Sequence, residues 1–258
     1  MITSSQNAKI KLIRQLQGRA KDRREAGAFL AEGVRLIEEA LHAKWNFRFV
    51  LYSDELSERG KSLRSQLSTF QIETEQVDAN TFAAISETES SQGIIAVLDH
   101  SPLPIPQSPN FILIPDQVRD PGNLGALIRS AAAANIQAVL IPPETTDAFA
   151  PKVIRAGMGA HFRLPIHAMT WEEINNVCTL ERLNVLLADM QGRSCWNVDL
   201  RDPLALIVGG EAKGASKAAR SLAAETISIP MPGNMESLNA GAAGSILMFE
   251  VVRQRLGV

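Results

Sequence analysis

Apolar residues recur along the chain in two alternating rhythms. Over 6–17, Ile10, Leu12, Ile13 and Leu16 fall among Lys9, Lys11 and Arg14, which predicts a helix. The spacing then predicts a helix over 33–43, a strand over 47–52, a helix over 55–67, a weaker strand over 70–77 and a buried strand over 94–98. These elements describe a small α/β domain over 1–99. Residues 100–110 hold Pro102, Pro104, Pro106 and Pro109, which remove backbone donors and favour an extended course, so this stretch reads as an interdomain linker.

From 111 the alternation is stronger. Phe111-Ile112-Leu113-Ile114 is a continuous apolar run, the pattern of a parallel strand covered on both faces. A helix over 122–134, a strand over 137–141, a helix over 151–158 and a strand over 163–167 follow. Next come a helix over 171–181, strands over 184–188, 204–208 and 226–229, and a long helix over 237–255. Strands alternating with helices imply a second α/β domain over 111–258, built on a mostly parallel sheet. Ligands bind such sheets beyond the carboxyl ends of the strands.

Three strand-end loops therefore carry the candidate chemistry. The first, 115–125, holds Gly122 and Gly125 for tight turns and Asn123 as a helix cap, with Arg129 on the helix that follows. The second is Gly209-Gly210-Glu211-Ala212-Lys213-Gly214. It is not a phosphate loop, because Ala215 stands where that motif needs lysine, and neither loop has the glycine spacing of a dinucleotide fingerprint. A nicotinamide dehydrogenase is thereby disfavoured. The third, 230–244, holds two prolines, a glycine and Ser237-Leu238-Asn239, of which Ser237 or Asn239 caps the last helix.

Composition narrows the classes. Cys178 and Cys195 are too few for a disulfide framework, and the four histidines show no zinc spacing, so no metal is expected. No apolar run approaches membrane-spanning length and no secretory leader is visible, so the default is a soluble, cytoplasmic protein. The formal net charge of -2 over 258 residues excludes a uniformly basic nucleic-acid binder.

The ordered set Asn123-x-Gly125-x-x-x-Arg129, Gly209-Gly210-Glu211-x-x-Gly214 and Ser237-Leu238-Asn239 resembles the SPOUT class of methyltransferases, and within it the SpoU/TrmH family of RNA 2′-O-ribose methyltransferases. Residues 29–41 and Gln92-Gly93 are similar to that family's substrate-binding module, an α/β fold like an RNA-binding ribosomal protein. The chain departs from the family's frequent Ser-Leu-Asn-Val-Ser at Gly241, where a hydroxyl is missing.

The resemblance implies a deep trefoil knot, a homodimer, and S-adenosylmethionine as cofactor. The cofactor would be held by Gly209, Gly210, Glu211, Ile229, Met231, Ser237, Leu238 and Asn239. It implies catalytic roles for Arg129, Asn123, Glu211 and Asn239. Arg129 would act either as a base or as a cation that stabilises the developing alkoxide. The implied substrate is RNA, rRNA ahead of tRNA, and a non-catalytic ribosome-assembly factor on the same scaffold is the alternative.

Charge distribution then takes on meaning. Residues 1–24 hold seven Lys/Arg against Asp22 alone, whereas 25–100 hold six against thirteen acids. Lys9, Lys11, Arg19, Lys21, Arg23 and Arg24 are the expected phosphate contacts, with Arg119, Lys152, Arg155 and Arg163 extending the track.

Overall fold

The computed structural model describes residues 1–88, 90–210, 214–233 and 235–257. Contacts divide the chain into two units, Met1–Ser101 with Phe149–Phe162, and Pro102–Ala148 with Arg163–Val258.

The first unit holds helices α1 (Ala8–Gln17), α2 (Ala20–Ala26), α3 (Val34–His42), α4 (Glu58–Thr69) and α5 (Ala79–Ala83), and strands β1 (Ala28–Glu32), β2 (Phe47–Tyr52), β3 (Thr74–Gln76) and β4 (Ile94–Asp99). The sheet order is β1-β4-β2-β3, antiparallel except for β2 with β3. Alternation sets its two faces. Leu30, Phe49, Leu51, Ile95 and Val97 pack in one core cluster with Ile10, Ile13 and Leu16 of α1. Phe29, on the other side of β1, meets Trp45 edge-on at 5.4 Å between ring centroids.

The excursion Phe149–Phe162 joins this unit, although the sequence pattern assigned the whole of 111–258 to the second domain. Its end residues explain why. Phe149 lies 5.0 Å from Phe29 and Phe162 lies 5.4 Å from Trp45, whose indole N–H donates to the Phe162 carbonyl at 3.1 Å. Between them, Arg155 of α7 (Pro151–Gly157) donates to Glu87 at 3.0 Å and pairs with Glu32. Burying two aromatic rings outweighs chain proximity.

The second unit is built on six parallel strands in the order β10-β8-β9-β5-β6-β7. They are β5 (Phe111–Asp116), β6 (Ala138–Ile141), β7 (Ile166–Ala168), β8 (Asn184–Ser194), β9 (Leu204–Gly209) and β10 (Glu225–Ser228). Helices α6 (Pro121–Ala133), α8 (Trp171–Leu180), α9 (Lys217–Leu222) and α10 (Ala240–Leu256) complete it. β5 and β9 are buried along nearly their whole length, as the continuous apolar runs predict.

Most expected elements appear with small shifts at their ends. The strand expected over 163–167 is displaced to β7, because Ala160–Phe162 turn as a 3-10 helix. α2, β1, α5 and α9 are additional. β1 lacks alternation because four of its five residues are buried. Among the described residues no helix is long and apolar enough to cross a membrane.

Candidate functional site

The three loops converge at the carboxyl ends of β5 and β9, neighbouring strands on which Asp116 and Gly209 stand opposite one another. The sheet's chain order reverses here, which opens the crevice where such folds bind ligands.

The first loop leads into α6. Its cap is Asp120, whose carboxylate accepts the Asn123 N–H at 2.8 Å, rather than the expected Asn123. The reason is Pro121, which lacks an N–H and suits the first helical position, so the residue before it becomes the cap. Asn123 is thereby moved inside the first turn, and its side-chain oxygen accepts from Asn239 Nδ2 at 2.8 Å.

Asn239 also caps α10, its own Oδ1 accepting the Ala242 N–H at 3.2 Å, so of the two candidate caps Asn239 takes the position. One amide side chain uses both ends to bind the third loop to the first. Gly241 keeps this junction tight. A Cβ there would stand 3.1 Å from Asn239 Oδ1 and 3.3 Å from the Ala126 methyl. The missing hydroxyl leaves the cap intact, and hydroxyl pairing between α6 and α10 comes from Ser130 and Ser245, 2.7 Å apart.

Asp116, fully buried at the end of β5, ties the first strand end to the second loop. Its Oδ2 accepts the Ser216 N–H at 2.6 Å, while Oδ1 is buried with no hydrogen-bond partner among the described residues. Burial pushes this carboxyl above the usual carboxylate range, against the opposing bonds from Ser216. Next to it the Gln117 carbonyl lies so close to Gly210 that any Cβ there would overlap it. Glycine at 210 is therefore a requirement of two crossing backbones.

These ties bound a cavity of about 530 Å³ beyond the ends of β8, β9 and β10. Gly209, Gly210, Ile229, Met231, Ser237, Leu238 and Asn239 all line it, and Ala243 and Leu247 of α10 add apolar wall. Glu211 lies outside the described residues. Arg129 is exposed on α6, outside the cavity lining.

The sequence reading missed one wall, Asp189-Met190-Gln191. The register of β8 explains it. Thr226 of β10 pairs with Leu187, but the next residue, Ile227, pairs with Arg193. Of the residues between, Ala188 stays paired with Val208 of β9, and Asp189, Met190 and Gln191 line the cavity. Gly192 closes this bulge where its Cβ would fall 2.5 Å from the β10 backbone. Asp189 Oδ1 accepts the Gln191 N–H at 3.0 Å and Oδ2 pairs with Arg220 at 2.8 Å. The Gln191 N–H, and after it Arg220, hold the Asp189 carboxyl below the usual range despite partial burial. The only sequence signal was an acid and a glycine just past an apolar run.

The basic track is smaller than its sequence suggests. Lys9 is removed from it, since its Nζ is held by Glu73 at 2.5 Å and Glu75 at 2.8 Å. Arg23 is removed too, being buried and donating to the carbonyls of Leu16 at 2.7 Å and Gly18 at 2.9 Å. Arg155 is committed to Glu87 and Glu32. Lys11, Arg19, Lys21 and Arg24 remain exposed. Arg119 is exposed as well and pairs with Glu144 at 2.9 Å, a surface contact of low energy.

Comparison with known proteins agrees with this geometry. Residues 110–249 match the SpoU rRNA Methylase family, and residues 7–96 match an MRM3-like substrate binding domain. The chain is 33% identical to the 23S rRNA (guanosine(2553)-2'-O)-methyltransferase RlmP of Bacillus subtilis, covering 97% of this chain and 98% of that one. It is 31% identical to a 23S rRNA (uridine(2479)-2'-O)-methyltransferase of Streptomyces viridochromogenes, over 98% and 92% of the two chains. Among solved structures, the SpoU methyltransferase AviRb of Streptomyces viridochromogenes in complex with AdoMet superposes with a TM-score of 0.86 at 29% identity, covering 98% of this chain and all of that one. With a match across more than half its length and full-length relatives at this identity, the chain belongs to the SpoU rRNA methylase family.

Proposed function

We propose that this protein methylates a ribose 2′-hydroxyl of rRNA, with S-adenosylmethionine as methyl donor. The observation that carries the reading is the single cavity on which the second and third motif loops converge, with Asn123 of the first loop bonded to its Asn239 wall. Relatives matched over more than nine-tenths of both chains are named as 23S rRNA 2′-O-methyltransferases, which supports rRNA as the substrate class.

The cavity suits the cofactor chemically. Val208, Ile229, Met231, Leu238 and Leu247 offer apolar surface to an adenine ring. The glycine backbone at 209–210 lets polar main-chain groups approach a base edge without side chains in the way. When bound, the cofactor supplies a methyl group already activated on a sulfonium. The protein's task is then to orient the hydroxyl and stabilise the charge that develops on it, and orientation alone supplies up to about 7–11 kcal/mol in well-aligned systems. Arg129 is assigned this second role. Its guanidinium grips an RNA phosphate and stabilises the alkoxide. Asn123 and Asn239 hold the α6 and α10 starts together, so that the first-loop helix carrying Arg129 keeps its station relative to the cavity.

Residues 1–99 form the RNA-binding module in this reading, with Lys11, Arg19, Lys21 and Arg24 contacting phosphates. The protein acts as a homodimer in the cytoplasm. Support for the dimer comes from α10, which is apolar on both sides. Gly244, Leu247, Met248 and Val251 are buried, while Ile246, Phe249 and Leu256 are exposed at helical spacing, with exposed Trp196 on the 3-10 turn that α10 contacts. An exposed apolar stripe of this kind marks an association surface. The deciding experiment is Arg129→Ala. Methyl transfer to rRNA is expected to disappear while S-adenosylmethionine affinity stays within about twofold; unchanged turnover would remove Arg129 from the chemistry.

A further inference from the structure

We infer that Asp189 is a specificity-determining residue that makes the cavity favour the charged methyl donor over its neutral demethylated product. The inference rests on the assignment of the cavity to S-adenosylmethionine.

Among the described residues that line the cavity, Asp189 is the only one with a formal charge. The rest of the wall is aliphatic, glycine or uncharged polar. The Asp189 carboxylate spends one acceptor site on the Gln191 N–H and one on Arg220. A carboxylate has about four such sites, so acceptor capacity remains. The pair is also polarised. Asp189 is only 18% exposed and faces the cavity, whereas Arg220 is 49% exposed and is not part of the wall. Water screens the cation more than the anion, so the described wall presents a negative charge at Asp189, with the Arg220 guanidinium behind it near Gly214.

The donor and its product differ only by the transferred methyl and the positive charge it places on sulfur. S-adenosylmethionine carries a sulfonium beside its amino-acid zwitterion, for a net charge of +1. S-adenosylhomocysteine carries a neutral thioether and no net charge. Every other group is shared, so shape and hydrogen bonding cannot separate the two strongly. A fixed anion in the wall can. Taken as a sphere, a 530 Å³ cavity is about 10 Å across. A unit charge at that range, with an effective dielectric of about 20 to 40, changes the affinity for a cation by about fourfold to fifteenfold. The same anion has no first-order effect on a neutral thioether. Methyl transfer then discharges the ligand inside the site and loosens it, which favours release of the product.

The experiment is calorimetric titration of the full chain and its Asp189→Asn variant with S-adenosylmethionine and, separately, with S-adenosylhomocysteine. The substitution keeps the size and the acceptor for Gln191 but removes the charge. Donor affinity is expected to fall about fourfold to fifteenfold, with product affinity held within about twofold. Equal losses for both ligands, or no loss for either, would overturn the inference. Two blocking variants test the cavity assignment separately, with folding checked by circular dichroism: Ala243→Phe on the wall and Leu238→Arg at a partly exposed position. Loss of both ligands in either folded variant locates the site. If both variants bind normally, the cavity assignment fails together with the inference. If blocking works but Asp189→Asn leaves the ratio unchanged, the charge argument alone fails.

Discussion

Asp116 offers a sharp test of how the strand ends hold the second loop. It is completely buried, and its hydrogen bond from the Ser216 N–H at 2.6 Å ties β5 to the far end of residues 209–216. Removing the carboxylate with Asp116→Ala deletes a charge-assisted bond worth about 1.5–3 kcal/mol. For a domain of this size that corresponds to a fall in Tm of roughly 3–12 °C. If the whole energy were expressed as loosening of the loop, S-adenosylmethionine affinity would fall by up to about a hundredfold. Asp116→Asn should behave in the opposite way, and the sign follows from the raised pKa.

Burial makes the native state hold this proton more tightly than the unfolded chain does. The contribution to stability is full below the unfolded carboxylate pKa, about 3.9, and is lost as pH rises through the native value. As pH rises, the carboxylate that forms is one whose Oδ1 is buried without a described partner. Asparagine retains an acceptor for Ser216 and carries no charge. Urea unfolding of the wild type and both variants between pH 4 and pH 8 should show Asp116→Asn more stable at pH 8, with the advantage shrinking toward pH 4. The reasoning is refuted if Asp116→Asn shows no pH-dependent difference from the wild type, or if Asp116→Ala is as stable as the parent.

Asn239→Ala removes the α10 cap and the bond to Asn123 together, so a loss of about 1–3 kcal/mol in chemical denaturation and weaker donor binding are expected. RNA affinity measured by fluorescence anisotropy should fall steeply with salt. Neutralising Arg19, Lys21 and Arg24 together should flatten that slope by about two to three units, whereas Lys9→Ala should leave the slope unchanged and lower Tm through its lost pairs with Glu73 and Glu75. Phe249→Asp places a charge on the exposed apolar side of α10 and should yield monomers by light scattering, against a wild-type dimer.

Much of the site was legible because its requirements are local. A continuous run such as Phe111-Ile112-Leu113-Ile114 announces a covered strand whatever packs on it, and glycines and amide caps mark turns wherever they occur. The second and third motifs, at successive strand ends, fall on the lining of one cavity. Even so, Asn123 was misread as the cap, a position that Pro121 gives to Asp120, and its side-chain partner Asn239 is 116 residues away.

What only the tertiary structure decided are the long-range cancellations and crossings. Lys9 and Arg23 count as positive charge in the sequence, yet one is neutralised by acids more than sixty residues distant and the other is buried on backbone carbonyls. Phe149–Phe162 leaves the second unit because two rings find apolar cover on the first. Asp189 joins the cavity because β8 skips residues against β10, a register that no local pattern encodes. Local periodicity determines elements and turns, since backbone geometry acts over a few residues. The company a charge or ring keeps is set by burial and pairing across the whole fold, where the free energy depends on neighbours that sequence distance does not reveal.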